Sequence, residues 1–306
     1  MSRHWARIKE AGAPGGMRFM VLLYELFGRS VFRLVLYPVI AYFFVRRGEA
    51  RRASLDYIRR LRKRHPAVLP GGCLGWLSFR HFLTFGDMLL DKYLAWVHTP
   101  ELPLMEPAAE RELLQLMAER QGLLILGSHF GNLEYARAIS SRFADLAINV
   151  LIYDQHAGKF AALMADSEPQ SRMNLLQVTD LDTAMALDLK QRVQRGEWVV
   201  IAGDRVPVSE QGRVSTAPFL GEDARFPIGP YVLAAVLECP VYLFCCYRKP
   251  AGYHMGLERF AGSIELPREQ RQEVLAGHVA HYAEALERQV LRAPLQWFNF
   301  FDFWRQ

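Results

Sequence analysis

The sequence predicts an α/β protein with a mostly parallel or mixed sheet flanked by helices, and three observations support this. Short apolar runs of strand length alternate with helical patterns from residue 107 onward. Hydrophobic residues make up 51% of the 306 residues, enough for a sizeable core. Residues 1–65 combine an apolar run with dense basic charge, which predicts a membrane-docking helical segment before an α/β domain of residues 66–306.

The predicted strands are apolar runs bounded by turn residues. They are Leu123–Leu126, Ala147–Tyr153, Trp198–Ala202 and Val241–Tyr247, with a further run near Tyr253–Phe260. Helical patterns cover residues 76–98 and 107–121, and then Leu133–Phe143, Leu181–Arg195, Pro227–Leu237 and Arg268–Leu291. Strands that alternate with helices favour a parallel sheet, and functional loops gather at the carboxyl ends of such strands.

The net charge of +5 hides an asymmetry along the chain. Residues 1–65 carry 15 Lys/Arg against 4 Asp/Glu, whereas the remaining residues are net acidic. A basic patch is one feature of nucleic-acid-binding proteins. Here it adjoins the longest apolar run, and this favours the surface of an anionic membrane over nucleic acid.

The apolar run from Phe19 to Val45 is too interrupted for a simple membrane span. Glu25, Arg29 and Arg33 break it, and the charge-free part, Leu34–Val45, has 12 residues, whereas a span needs about 20. Basic residues flank the run on both sides: Arg3, Arg7, Lys9 and Arg18 before it, and Arg46, Arg47, Arg51 and Arg52 after it. This favours a monotopic helix pair lying in the bilayer surface. A buried hydrophobic hairpin and a single tilted span are the alternatives.

The four cysteines show no spacing typical of metal sites or redox motifs. Cys73, Cys239, Cys245 and Cys246 form no C-x-x-C pair, so we expect free thiols in a reducing compartment. The chain also has no Walker loop, no G-x-G-x-x-G and no H-E-x-x-H, and Ser128 stands one place too early for a nucleophile elbow.

The segment LLILGSHFGNLE, residues 123–134, is the best candidate for chemistry. A strand-like run ends at Gly127, and His129 follows on a turn, with Glu134 five positions later at the start of a helical pattern. On one continuous helix the two side chains would be about 140° apart, so they meet only if His129 precedes the helix. Glu134 would then bond one imidazole nitrogen and raise the basicity of the other. Asp204 follows another strand, so it and His129 are expected at one edge of the sheet.

HFGNLE resembles the H-x4-D/E motif of lysophospholipid and glycerol-phosphate acyltransferases. More of the chain is similar to the late acyltransferases of lipid A synthesis, the lauroyl and myristoyl transferases. The shared features are the basic-flanked hydrophobic N-terminus, the GSHFGNLE turn, the GDR triplet at Gly203–Arg205, the stretch Pro218–Ala234, and the aromatic C-terminus around Gln296 and Trp297. That family usually has Asp-Gln where this chain has Asp204-Arg205. The ending PLQWFNFFDFW resembles a divergent branch associated with aryl polyene pigments and ornithine-type lipids.

The resemblance implies transfer of an acyl group from an acyl carrier protein thioester, or from acyl-CoA, to a hydroxyl or amine of a lipid or lipid-like acceptor. His129 would deprotonate the acceptor and Glu134 would orient His129. Asn132, Asp204 and Arg205 would support the site or bind substrate. No cofactor or metal is implied. The expected location is the cytoplasmic face of the bacterial inner membrane.

Two rival classes stay open at this point. One is a metal-dependent hydrolase using His129, Asp154, His156 and Asp204, although their spacing matches no known ligand pattern. The other is a non-catalytic lipid-binding protein that keeps the fold. Within acyl transfer, the donor could also be an aminoacyl thioester.

Overall fold

A computed structural model describes residues 14–97, 103–135, 146–152, 173–178, 181–206 and 213–305. Its helices and strands follow in chain order: α1 Pro14–Arg46, α2 Gly48–Arg64, α3 Leu74–Val97, β1 Leu104–Met105, α4 Pro107–Ala118, β2 Leu123–Gly127, β3 Ile148–Ile152, β4 Met173–Gln177, α5 Thr183–Gln194, β5 Trp198–Ala202, β6 Val214–Phe219, β7 Glu222–Pro227, α6 Gly229–Leu237, β8 Val241–Lys249, β9 Gly252–Ala261 and α7 Arg271–Arg292. Short 3₁₀ turns cover Leu133–Tyr135, Pro294–Gln296 and Phe303–Arg305.

The predicted α/β class is confirmed by a seven-stranded sheet in the order β1-β9-β8-β2-β5-β3-β4. All neighbouring strands in it run parallel except β8 and β9, which form an antiparallel pair. Strand β2 lies between β5 and β8, so the turn that follows it is at the centre of the sheet.

Helices cover both faces of this sheet because its central strands are apolar on both sides. Along β2, Leu124 and Leu126 join the core beneath α2, α5, α6 and α7, while Leu123 and Ile125 join the core beneath α4. Side chains alternate between the faces of a strand, so one continuous apolar run serves both cores. Helix α2 contributes Tyr57, Ile58 and Leu61 to the larger core.

Helix α1 lies against α3 through a third apolar cluster. Phe32, Leu36 and Ile40 of α1 pack with Phe82 and Leu90 of α3. The helix bends at Gly28, where the backbone adopts φ +74°, a conformation that glycine reaches without a Cβ penalty. In the described part of the chain, no helix combines the length and apolar character needed to cross a bilayer.

The sequence predicted most elements to within a few residues but missed the short or polar strands. The β6–β7 hairpin turns at Leu220 and Gly221, both with positive φ, as a two-residue turn of type I′ requires. The pair Leu-Gly is a weak turn signal beside Asn-Gly or Asp-Gly, which explains the omission. Strands β1 and β4 were also missed. The predicted helix Leu133–Phe143 begins as a 3₁₀ turn, and its residues 136–143 lie outside the described part.

Candidate active site

Two adjacent parallel strands bring His129 and Asp204 together. Gly127 at the end of β2 is in register with Ala202 at the end of β5, and each site residue follows two positions later. The two turns are joined by a hydrogen bond from the Gly203 N–H to the Gly127 carbonyl at 3.0 Å. The two residues therefore meet at the carboxyl edge of the sheet, as the strand pattern predicted.

The Asp204 carboxylate binds both the ring and the backbone of His129. Its Oδ1 accepts from the imidazole Nδ1 at 2.7 Å, and its Oδ2 accepts from the His129 backbone N–H at 2.9 Å. Oδ2 also accepts from the indole Nε1 of Trp297 and from Nδ2 of Asn299, each at 3.1 Å. Asp204 is fully buried, so these donors replace its lost hydration.

These contacts fix which ring nitrogen of His129 can act as a base. Burial alone raises the pKa of Asp204, but the His129 contacts and the Arg205 charge outweigh it and hold the pKa below its usual value. An ionised carboxylate only accepts hydrogen bonds, so Nδ1 carries the proton and Nε2 keeps its lone pair. Burial and the Arg205 charge lower the pKa of His129, so the imidazole is neutral at pH 7. One third of its side chain is exposed.

Arg205 is held against the C-terminal segment beside this pair. Its Nε donates to Oδ1 of Asn299 at 2.8 Å, and its Nη2 donates to the Phe298 carbonyl at 2.9 Å. Burial lowers its pKa to about 10, partly opposed by Asp204, so the guanidinium stays charged at neutral pH. Asn299 thus bridges Arg205 and Asp204, and the Arg205 guanidinium contributes positive charge beside His129 and Asp204.

The loop after His129 is built into the sheet by its backbone. Gly131 donates to the Gln296 carbonyl and Asn132 donates to the Cys246 carbonyl, both at 2.7 Å. Gly131 has φ +69°, and a Cβ there would lie 1.9 Å from the Cys246 oxygen, so the position requires glycine. The Asn132 side chain is buried, and its Oδ1 accepts from the Glu134 N–H at 3.1 Å, which stabilises the turn.

Glu134 is not the carboxylate on Nδ1 of His129. The spacing predicted that Glu134 would bond one imidazole nitrogen, whereas the structure gives Nδ1 to Asp204. Glu134 lies half-buried on the 3₁₀ turn Leu133–Tyr135, five positions after His129. Its part in the reaction stays a prediction.

Two donors at this site were not predicted from the sequence: the indole of Trp297 and the side-chain amide of Asn299. Both donate to Asp204 from positions more than 90 residues away in sequence. The available signal was compositional: Asn299 and Asp302 are the only polar residues in the aromatic run WFNFFDFW. A polar side chain inside such a run needs a hydrogen-bond partner once the run is buried.

Of the four residues considered for a metal site, the described regions include His129 and Asp204, which hydrogen-bond each other. Within those regions, no group of three His, Cys, Asp or Glu side chains is placed to hold a metal ion. Asp154 and His156 lie outside them. The four cysteines are free thiols, of which Cys239, Cys245 and Cys246 are buried. Burial raises the pKa of the Cys239 thiol to about 12 and that of Cys245 to about 11, and this disfavours the thiolates that nucleophilic catalysis needs.

A neutral histidine with a buried, ionised carboxylate on Nδ1 is an arrangement suited to general-base chemistry. Nε2 can take a proton from a hydroxyl or amine, and Asp204 stabilises the imidazolium that forms. The model of one protein family, described as bacterial lipid A biosynthesis acyltransferase, matches residues 108–306. No curated protein matches the chain. The matched region contains His129, Asp204, Trp297 and Asn299, and the chain belongs to the bacterial lipid A biosynthesis acyltransferase family and is an acyltransferase.

Proposed function

We propose that this protein is a membrane-associated enzyme that moves an acyl group from an acyl carrier protein thioester, or from acyl-CoA, to a hydroxyl or amine of a lipid or lipid-like acceptor. The 2.7 Å contact between Nδ1 of His129 and Asp204 carries the proposal, because it leaves Nε2 as a base at the carboxyl edge of the sheet. The family supports the reaction class.

In the proposed reaction, Nε2 of His129 removes the proton from the acceptor hydroxyl or amine as its oxygen or nitrogen attacks the thioester carbonyl. The tetrahedral intermediate collapses, the C–S bond breaks, and the imidazolium returns the proton to the thiolate leaving group. Asp204 holds the ring and stabilises its charge throughout. The attack is direct, so it requires no acyl-enzyme intermediate.

The charged residues of α1 support docking on a membrane. Arg33 pairs with Asp87 at 2.5 Å, and Arg29 pairs with Asp91, so both basic residues that interrupt the apolar run point at α3. Eight apolar side chains of α1 are nevertheless exposed: Phe19, Leu22, Leu26, Phe27, Leu34, Tyr37, Tyr42 and Val45. An apolar helix face bounded by arginines is typical of helices that lie in a bilayer surface. We place the enzyme at the cytoplasmic face of the inner membrane.

The exposed basic residues of α2 are a candidate surface for the donor. Arg59, Lys63 and Arg64 are exposed, whereas Arg60 lies between Asp56 and the ring of Trp304. An acidic carrier protein would be steered to such a surface. Because α2 packs on Trp297 through Tyr57, this surface lies on an element that contacts the residues around Asp204.

The experiment that tests the proposal is mass spectrometry of lipid extracts from cells with wild-type protein, the His129→Ala variant, or no protein. We expect a lipid heavier by one acyl group in the wild-type extract alone. The control variant is His281→Ala, which changes an exposed histidine on α7. Cells with this variant should contain the same acylated lipid as cells with the wild-type protein. If the His129→Ala protein gives the same product, the general-base assignment is wrong. If no extract differs while the protein is present in the membrane, the non-catalytic lipid-binding alternative gains support.

A further inference from the structure

A buried histidine outside the reacting groups is connected to the Asp204 carboxylate. His81 of α3 is 1% exposed, and its Nε2 lies 2.9 Å from the backbone carbonyl of Trp297. Its Nδ1 lies 3.0 Å from Oγ of Ser54, a buried residue of α2. The Ser54 hydroxyl in turn accepts from Oγ of Ser78 at 2.8 Å.

The direction of each hydrogen bond in this chain is fixed by its neighbour. A carbonyl only accepts, so Nε2 of His81 carries the proton and donates it to Trp297. Nδ1 is then an acceptor, and the Ser54 hydroxyl donates to it. Burial lowers the pKa of His81 to about 4, although the bond to Trp297 opposes the shift, so the ring is neutral at physiological pH.

Trp297, whose carbonyl accepts from His81, also binds the Asp204 carboxylate through its indole. Trp297 donates from Nε1 to Oδ2 of Asp204, and the next residue, Phe298, donates its backbone N–H to the His129 carbonyl at 2.9 Å. The Trp297 backbone also forms an antiparallel bridge with Phe130. Trp297 and Phe298, which contact Asp204 and His129, are therefore consecutive residues, and the backbone carbonyl of the first accepts from His81.

The imidazole of His81 is also packed so that it has one orientation. Its ring lies 5.6 Å from Tyr57, 4.6 Å from Phe300 and 5.9 Å from Phe298, measured between ring centroids. Tyr57 itself donates to the Pro294 carbonyl at 2.6 Å. These contacts account for an aromatic ring at position 81, but ring packing alone does not require a histidine with both nitrogens bonded.

We propose that His81 is a positioning residue for the reaction: through the Trp297 carbonyl it sets the place of the indole that orients Asp204 and, through Asp204, His129. His81 does not touch the reacting atoms. The inference rests on the proposed role of the His129–Asp204 pair, and its test uses a signal from that pair that needs no substrate.

The test compares two substitutions that each keep one half of the imidazole's hydrogen bonding. His81→Gln keeps a donor at the position of Nε2 and so keeps the bond to Trp297. His81→Asn keeps only a group at the position of Nδ1, which reaches Ser54. In the purified full-length protein, NMR of ¹⁵N-labelled histidine follows the Nδ1 proton of His129, identified by its loss in His129→Gln.

We expect the exchange rate of the His129 Nδ1 proton with water to rise about five- to tenfold in His81→Asn, the effect of one weakened hydrogen bond. His81→Gln should stay near wild type. Trp297→Phe should show the same rise, and adding His81→Asn to it should change little more, because the two contacts act in series. Phe82 lies on the same helix and packs against Phe300 through its ring alone. The Phe82→Leu variant should therefore lower the free energy of unfolding and leave the exchange rate of the His129 proton unchanged.

The proposal would be overturned if the His129 proton exchanged at the same rate in His81→Asn and in wild type. It would also be overturned if His81→Gln and Phe82→Leu raised the rate as much as His81→Asn, because His81 would then act only through its packing. If His81→Asn does not fold, His81→Phe takes its place, because it keeps an aromatic ring and loses both hydrogen bonds of His81. The His129 proton should then exchange faster than in wild type, and an unchanged rate would overturn the proposal. A His129→Ala variant that keeps its activity would refute the proposed mechanism but leave this NMR result standing, so the two failures are distinguishable.

Discussion

The Asp204 carboxylate forms two hydrogen bonds with His129: Oδ1 accepts from the imidazole Nδ1 at 2.7 Å, and Oδ2 accepts from the backbone N–H of the same residue at 2.9 Å. One buried carboxylate therefore fixes both the ring's tautomer and the position of its Cα. Rotation of the Asp204 side chain would break both bonds together, so the ring and its loop are held as a unit.

Replacing Asp204 by Asn should remove most of the activity while keeping the shape of the site. The amide can turn its NH₂ group toward Nδ1, which would force the proton onto Nε2 and remove the base. We expect the turnover rate to fall by about 10²- to 10⁴-fold, the usual contribution of a positioned base. Lipid product measured against time gives the rate. Asp188→Asn, which breaks an exposed pair with Arg192, is the control, and a similar fall in both variants would contradict the prediction.

Glu134→Gln should separate the role of Glu134 from that of Asp204. Because Asp204 already fixes the Nδ1 proton of His129, the Glu134 variant should keep the histidine NMR signal of wild type. If Glu134 acts on substrate, turnover should still fall by about tenfold or more. A lost or shifted Nδ1 signal in this variant would mean that Glu134 orients the imidazole after all.

The contrast between these two carboxylates shows what a local pattern can predict. His129 and its strand-end position were evident because an apolar run, a glycine and a turn occur within a few residues. The meeting of His129 with Asp204 was also predictable, since parallel strands align their carboxyl ends. The choice of Asp204 over Glu134 as the Nδ1 partner depends on the in-register pairing of Gly127 with Ala202, which no spacing along the chain encodes.

The C-terminal half of the site was beyond sequence reasoning for the same reason. Trp297 and Asn299 reach Asp204 because the segment after α7 forms a bridge with Phe130. The sequence placed His81 within the predicted helix of residues 76–98 without singling it out, and only its contact with the Trp297 carbonyl distinguishes it. Long-range contacts of this kind depend on how whole helices and strands pack, and they produce no periodic pattern in the sequence.

Gly131→Ala should destabilise the protein through the loop that follows His129. The residue has φ +69°, and the new methyl group would overlap the Cys246 carbonyl that accepts from Asn132. Left-handed strain and overpacking together should lower the free energy of unfolding by about 2–4 kcal/mol. Urea unfolding gives this quantity. Gly221→Ala, at φ +82° with ordinary contacts, carries the strain alone and should lose less; equal losses would refute the predicted overlap.

His81 should make the protein sensitive to mild acid. Burial lowers its folded pKa to about 4 from 6.5, so the unfolded chain binds more protons between these values. Stability is therefore present above pH 6.5 and decreases as the pH falls toward 4, by about 3 kcal/mol from this residue. Urea unfolding at several pH values would measure the slope. His81→Gln has no titrating ring and should reduce that slope, and an unchanged slope would refute the assignment to His81.

The exposed apolar side chains of α1 should contribute to membrane binding, and salt should not screen this contribution. Leu26 and Leu34 are 64% and 72% exposed, so Glu at either position should leave the fold intact. Each substitution should weaken binding to anionic phospholipid vesicles by about tenfold or more, the effect of losing one buried leucine side chain. Co-sedimentation with vesicles at low and high salt measures this, and Leu187→Glu on α5, which is 53% exposed, is the matched control.

The dependence on salt then separates the two halves of the docking hypothesis. Arg46, Arg47 and Arg52 are exposed beside the apolar face, and their attraction to anionic headgroups should weaken as ionic strength rises. Binding that persists at high salt and is lost in Leu26→Glu and Leu34→Glu belongs to the apolar face. Equal loss in Leu187→Glu would mean that any added acidic charge repels the vesicle. In that case the exposed apolar residues of α1 would have no special role, and the charge of the arginines would account for docking.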